Sequence, residues 1–268
     1  GLPAFLSVDE EGGTVARVAA NEAFGVTNVG NMSDIGAAGD AQKAYDAGVT
    51  IGTYLKQLGF NVDYAPVADV LTNPGNTAIG TRSFGSDASM VADMVIKELE
   101  GLSSQGVFGA VKHFPGQGGV SGDSHDGAVT LDKSLEELMQ TELVPFQKAL
   151  ENGVSFVMVG HISVPQVVGD NTPASLSQMM VSNVLREQLG YQGIVITDAM
   201  NMGAVTGNYT ADQAAVMAVN AGVDMILMPQ DYETAYNGLL QAVQDGTISE
   251  ERIDESVERI VKVKLQMQ

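Results

Sequence analysis

Phe108-Gly109-Ala110-Val111-Lys112 runs directly into His113-Phe114-Pro115-Gly116. The first stretch is almost continuously apolar, the pattern of a parallel β-strand covered on both faces. Its polar groups come at the end, where Lys112 and His113 lead into a Pro-Gly turn. An apolar strand that turns polar at its C-terminal end is how parallel α/β folds build a site on one rim.

The pattern recurs along the chain. Strand candidates are Ala4–Val8, Asn61–Ala65, Phe156–Gly160, Gly193–Thr197 and Met225–Met228, which with Phe108–Lys112 make six. Helix candidates are Ala41–Leu58, Ser86–Gln105, Ser134–Asn152, Ser177–Leu189, Ala211–Ala221, Tyr232–Gln244 and Glu250–Gln266. Ser134 and Glu137 stand at capping-box spacing. Gly59, Gly106, Gly153, Gly190 and Gly222 follow helices, as C-terminal stops do.

Strand–helix alternation predicts an α/β fold with a parallel sheet. A closed barrel needs about eight strands. The six candidates fit a closed barrel if residues upstream supply at least one further strand and helix, and a doubly wound open sheet is the alternative. Gly1-Leu2-Pro3 leads straight into a strand candidate, with no initiator Met and no signal segment. Residues upstream are expected, with any targeting signal among them. No repeat, linker or low-complexity segment interrupts residues 1–268, which are expected to form one domain.

Composition sets further bounds. At 268 residues with 44% apolar and 17% charged side chains, the chain can bury a sizeable core. Thirteen Lys and Arg against 33 Asp and Glu give a formal charge of −20, which argues against nucleic acid or anionic lipid as partner. Absence of Cys excludes disulfides, thiolate metal sites and cysteine nucleophiles. No apolar run approaches a membrane span. Compartment and oligomeric state are not legible here.

The unusual polar residues fall at predicted strand ends. Val8 is followed by Asp9-Glu10-Glu11, Ala65 by Pro66 and Asp69, Val111 by Lys112 and His113, Gly160 by His161, and Thr197 by Asp198. An Asp after a strand can simply cap the next helix, and for Asp198 alone that reading would prevail. Such groups gathered at five strand ends are costly to bury together unless they bind something polar. The loop continues with Gly116, Gly118, Gly119 and Gly122, which allow it to move and approach a ligand, and reaches Asp123-Ser124-His125. Asp123 can reach one nitrogen of His125 and raise the basicity of the other. A metal site is the weaker alternative, because zinc-type ligand spacing is absent.

These residues resemble glycoside hydrolase family 3, and within it the NagZ-type β-N-acetylglucosaminidases (β-hexosaminidases). The resemblance rests on Asp9–Arg17, on Ala65–Val70, on Gly80–Phe84, on the Lys112–His125 stretch and on Ile196–Met202. It implies a TIM-like (β/α)8 barrel that lacks its first βα unit in this chain, and a retaining exo-acting hydrolase of terminal β-linked N-acetylglucosamine, with peptidoglycan fragments as substrate and no cofactor or metal. It implies Asp198 as nucleophile, Asp123 and His125 as acid/base dyad, and Asp9, Arg17, Arg82, Lys112 and His113 as holders of the sugar. An unperturbed imidazole with pKa near ~6.5 suits both acid and base roles. With no Trp, there is no indole platform for a long polymer, which favours a pocket for one terminal sugar. The sequence departs from the pattern at Gln117, where His is more usual, and at Gly119–Gly122, which replaces a more polar stretch. A β-glucosidase or β-xylosidase, a phosphorylase with the same dyad, and a sugar-binding barrel without chemistry are the other readings.

Overall fold

The computed structural model describes residues 1–125 and 127–267. Five strands form the main sheet: β1 (Ser7–Val8), β2 (Val62–Asp63), β3 (Phe108–Phe114), β4 (Phe156–Val159) and β5 (Ile194–Thr197). They lie side by side in chain order, and every pair is parallel. Beyond β5 the chain adds a parallel bridge from Ile196 to Met225. A doubly wound sheet reverses its strand order at a switch point. Nothing reverses here, so the open-sheet alternative falls away.

Alternation along the strands sorts two cores. Val111, Phe114, Val157, Val159 and Val195 pack outward with the helices. Val62, Tyr64, Ala110, Phe156, Met158, Ile194 and Ile196 face inward and pack on one another. Phe5 before β1 and Met225 and Leu227 after β5 join the same inward cluster. The ring of Phe5 meets that of Phe156, three strands away, edge-on at 5.2 Å. A flat sheet cannot bring those two together; the sheet is curled into an α/β barrel with a filled interior. Ile260 and Val263 of helix Glu250–Leu265 complete that interior.

Several elements differ from the sequence expectation for identifiable reasons. The predicted helix Ser134–Asn152 is two helices, Leu135–Gln140 and Val144–Glu151. Pro145 has no N–H to give and its ring excludes the carbonyl four residues back, so a continuous helix cannot pass it. The capping box at Ser134 and Glu137 is formed. The helix expected over Ser177–Leu189 is a π-helix over Met179–Gln188. Met225–Met228 pairs at one residue only: the Thr197 hydroxyl takes the Leu227 N–H, and Met228 leaves extended backbone at φ 46°. Strand β1 is shorter than Ala4–Val8 because the Asn61 side chain, not a neighbouring backbone, takes the Leu6 N–H.

Candidate active site

The site lies on the rim formed by the C-terminal strand ends. After β1 the chain makes a small antiparallel hairpin, Glu10–Gly12 with Val15–Ala16. Neighbouring residues on an extended strand point oppositely. Glu10 turns into the core and accepts from the N–H groups of Val18 and Ala19 and from the Tyr54 hydroxyl. Glu11 turns to the rim and meets two cations. Arg82 donates to both its oxygens at 2.8 Å, and Lys112 Nζ stands 2.7 Å from Oε1. Lys112 also donates to Asp9 Oδ1 at 2.7 Å.

The electrostatics follow from that geometry. Burial alone would raise the Glu11 pKa, but Lys112 and Arg82 outweigh it and hold the group at about 2. Lys112 is buried, which disfavours its charge, yet Glu11 and Asp9 push its pKa above the ordinary lysine value. This is a paired, structurally fixed cation. Behind it, Glu98 is fully buried, neither of its oxygens has a hydrogen-bond partner among the described residues, and burial with the nearby Glu11 pushes it up to about 8, which favours its uncharged form.

From Arg82 the contacts continue around the rim. Arg82 Nη2 lies 3.4 Å from His113 Nε2, and His113 Nδ1 lies 2.7 Å from Asp69 Oδ2. Arginine is only a donor, so Nε2 of His113 is the accepting nitrogen and Nδ1 carries the proton toward Asp69. Asp69 Oδ1 also accepts from the Gln117 N–H at 2.6 Å, and Gln117 Nε2 donates to Ser124 Oγ at 3.1 Å. A series of side-chain contacts, broken only where Asp69 takes the backbone N–H of Gln117, therefore joins Asp9 to the residue beside His125.

The glycine loop is not uniformly open. Gly118 lies so close to the backbone of residue 70 that a Cβ would stand 1.9 Å from the Val70 carbonyl oxygen. Gly116 sits at φ 120° against Glu142. Lys112–Gly118 is buried, so that half is wedged into the protein and only 121–125 reaches toward solvent. There His125 Nδ1 lies 2.6 Å from Asp123 Oδ1, with the ring 65% exposed. Asp123 is held below its ordinary pKa: its slight burial opposes this, but bonds from the His125 N–H and ring prevail.

Asp198 follows β5. Its Oδ1 accepts from the Ala199 N–H at 2.7 Å, a contact with the next residue rather than a helix cap. Burial disfavours its charge, but His113, His161, the Ala199 N–H and Lys112 together hold its pKa below the usual range. His161 Nε2 donates to the Ala199 carbonyl at 3.0 Å, and Nδ1 faces the Ser175 hydroxyl at 2.7 Å. Burial lowers the His161 pKa and so disfavours its protonated form, against the opposing pull of Asp198. The loop after Asp198 returns to the dyad: Gly203 N donates to the His125 carbonyl at 3.1 Å and Ala204 N to that of Ser124 at 3.2 Å.

The sequence-predicted residues thus gather on one rim, with one exception. Asp9, Arg82, Lys112 and His113 form one contact series, and Asp123, His125 and Asp198 sit on two loops bonded to each other. Arg17 is exposed on the hairpin and forms no side-chain ion pair among the described residues. Glu11, Asp69, His161, Ser175 and Gln117 hold the arrangement together and were not among the expected site residues. Glu11, Asp69 and His161 stand out in the sequence as strand-end polar groups, and Gln117 as a departure from the family pattern, though none of them was given a site role; Ser175 carries no such signal.

Residues 1–263 match the family model "Glycosyl hydrolase family 3 N terminal domain". The chain is 33% identical to Beta-hexosaminidase A of Pseudoalteromonas piscicida, over 99% of this chain and 48% of that protein. It is 35% identical to Beta-hexosaminidase LpqI of Mycobacterium tuberculosis, over 98% of this chain and 68% of that protein. A glycoside hydrolase family 3 β-N-acetylglucosaminidase from Paenibacillus sp. str. FPU-7 superposes with a TM-score of 0.95 at 42% identity, covering 100% of this chain and 51% of that one. The chain spans about half the length of the first and last of these. With the family model matched over nearly its whole length and the strand-end site in place, this chain belongs to glycosyl hydrolase family 3.

Proposed function

We propose that the chain is the catalytic barrel, a single domain, of a retaining exo-β-N-acetylglucosaminidase. The observation that carries this is the joining of the two loops: the carbonyls of Ser124 and His125 are bonded to the loop that follows Asp198. An acid/base group and a carboxylate nucleophile on facing loops are what double displacement at a sugar requires. The names of the relatives, Beta-hexosaminidase and β-N-acetylglucosaminidase, support the choice of sugar.

In the first half-reaction a carboxylate oxygen of Asp198 attacks the anomeric carbon and forms a glycosyl ester. Nε2 of a protonated His125 gives its proton to the departing oxygen. In the second, neutral Nε2 takes a proton from water, the water oxygen bonds the anomeric carbon, and the Asp198 carboxylate leaves. Throughout, Nδ1–H stays on Asp123, which orients the ring and stabilises the imidazolium, as the Asp of a hydrolase triad does. Asp198 kept ionised by its surroundings suits the nucleophile.

Arg82, Lys112, His113 and Asp9 hold the terminal sugar by its hydroxyls, and Arg17, exposed outside their contact series, is given no part in holding it. Muropeptide-type fragments of peptidoglycan are the natural substrate in this reading. The test is release of aglycone from 4-nitrophenyl N-acetyl-β-glucosaminide and the corresponding glucoside, with and without phosphate, and NMR of the first-formed sugar. Expected are preference for the acetamido sugar, phosphate independence and β product. Inversion, or phosphate-dependent sugar phosphate, contradicts the reading.

A further inference from the structure

Gln117 and Ser124 lie on the two halves of the glycine loop, one wedged, one reaching outward. Both are almost fully buried, at 3% and 1% exposure. Gln117 is fixed on its own side at two points and reaches across the loop from there. Its N–H donates to Asp69 at 2.6 Å, its carbonyl accepts from Asn76 Nδ2 at 2.7 Å, and its side chain points across to Ser124. Ser124 receives that bond on its hydroxyl at 3.1 Å and, on its carbonyl, the bond from Ala204 of the Asp198 loop at 3.2 Å. Ser124 is the residue between Asp123 and His125.

We propose that the Gln117–Ser124 hydrogen bond is a latch that holds the dyad segment over Asp198, with both residues acting as positioning residues for the acid/base step. The inference rests on the reading of His125 as acid/base. The start of the exposed segment is tied down by Asn73, whose amide donates to the Val120 carbonyl at 3.0 Å and the Ser121 hydroxyl at 3.2 Å, while Gly122 is solvent-facing and His125 largely exposed. Without the Gln117 bond, the dyad end of the segment keeps, among the described residues, the two backbone bonds from Gly203 and Ala204 of the nucleophile's loop. The latch also reaches the sugar side, because the Asp69 that anchors Gln117 fixes His113 as well.

Proton donation matters most for a leaving group that cannot depart unaided. Latch loss should therefore act on glycosides with poor leaving groups and spare activated ones. A single neutral hydrogen bond translates to about a tenfold effect.

The experiment compares wild type with Ser124→Ala, Ser124→Thr, Gln117→Met and the Ser124→Ala/Gln117→Met double variant. Each is assayed on N,N′-diacetylchitobiose and on the 4-nitrophenyl glycoside, with Tm measured in parallel and amide exchange followed at Gly203 and Ala204. Expected is a roughly tenfold loss of kcat/KM on the disaccharide for Ser124→Ala and Gln117→Met, with at most twofold on the aryl substrate. The double variant should be no worse than either single, Ser124→Thr should recover most of the loss, and exchange at Gly203 and Ala204 should quicken when the bond is removed. Equal losses on both substrates, additive losses, or unchanged exchange overturn the latch. A wild type inactive on both substrates contradicts the proposed function instead, and the exchange rates still decide the latch.

Discussion

The guanidinium of Arg82 holds the carboxylate of Glu11 with two hydrogen bonds, Nε to Oε2 and Nη2 to Oε1, each 2.8 Å. This paired contact is nearly closed to solvent, and Lys112 joins it from the other side. The Glu11 pKa of about 2 lies below its ordinary 4.5, so the unfolded chain takes up the proton first. Stabilisation from this group is then full above pH 4.5 and disappears as the pH falls toward 2. Linkage puts it at about 3 kcal/mol. Glu11→Gln should lower Tm at neutral pH, because two buried cations lose their shared partner, and should flatten the acid limb of Tm against pH. Parallel acid limbs for the two proteins would show that Glu11 carries no such linkage.

Gly118→Ala tests the wedged half of the loop. Its Cβ would stand 1.9 Å from the Val70 carbonyl oxygen, a backbone atom that cannot swing away. A cost of about 3 kcal/mol or more is expected, with lost activity, while Gly127→Ala on the outer part, which meets nothing within 4 Å, should be nearly neutral. Thermal denaturation of both variants decides it; equal Tm values for the two would show that the loop is not wedged.

His161 is expected to act through Ala199. Its ring clamps the carbonyl of the residue after Asp198, so His161→Asn should lower kcat by about tenfold or more while leaving KM nearly unchanged. Its pKa is depressed by burial. The contribution to stability is therefore full above the unfolded value near ~6.5 and declines as the pH falls toward the folded one. Wild type should lose Tm in that window faster than His161→Asn. A variant with wild-type kcat would remove His161 from the positioning of Asp198.

His125→Ala should cost roughly 10²–10⁴-fold on substrates with poor leaving groups and much less on activated aryl glycosides. Asp123→Asn withdraws the negative charge beside Nδ1, 2.6 Å away, and makes the imidazolium less stable. The alkaline limb of kcat/KM against pH should move to lower pH in that variant. Equal losses on both substrates, or an unmoved limb, would argue that the pair does not transfer the proton.

The larger part of the fold was legible because apolar runs and glycine stops are local signals. Phe108–Lys112 reads as a buried strand on its own residues, and Pro145 could have announced the helix break that the reading passed over. The curl of the sheet was expected only through the family resemblance. It depends on Phe5 meeting Phe156, a contact that no periodicity records. In the site, polarity at strand ends located the rim, but Glu10 and Glu11 are the same residue type side by side. Only the hairpin decides which faces Arg82 and which faces Tyr54. Loop glycines read as freedom to move, whereas Gly118 is there because the Val70 backbone leaves no room for a side chain. Met225–Met228 looked like a strand, but the Thr197 hydroxyl competes for the Leu227 N–H.

The most direct measurement is to trap the sugar on the protein. A fluorinated N-acetylglucosaminyl fluoride, whose ring fluorine slows the second half-reaction, is incubated with the protein, and the intact mass is followed before peptide mapping. Expected is a gain of one sugar residue, located on the peptide containing Asp198 and absent in Asp198→Ala. A protein that turns over the reagent without any adduct in rapid-quench sampling, or an adduct on another carboxylate such as Asp9 or Asp123, would contradict Asp198 as the nucleophile.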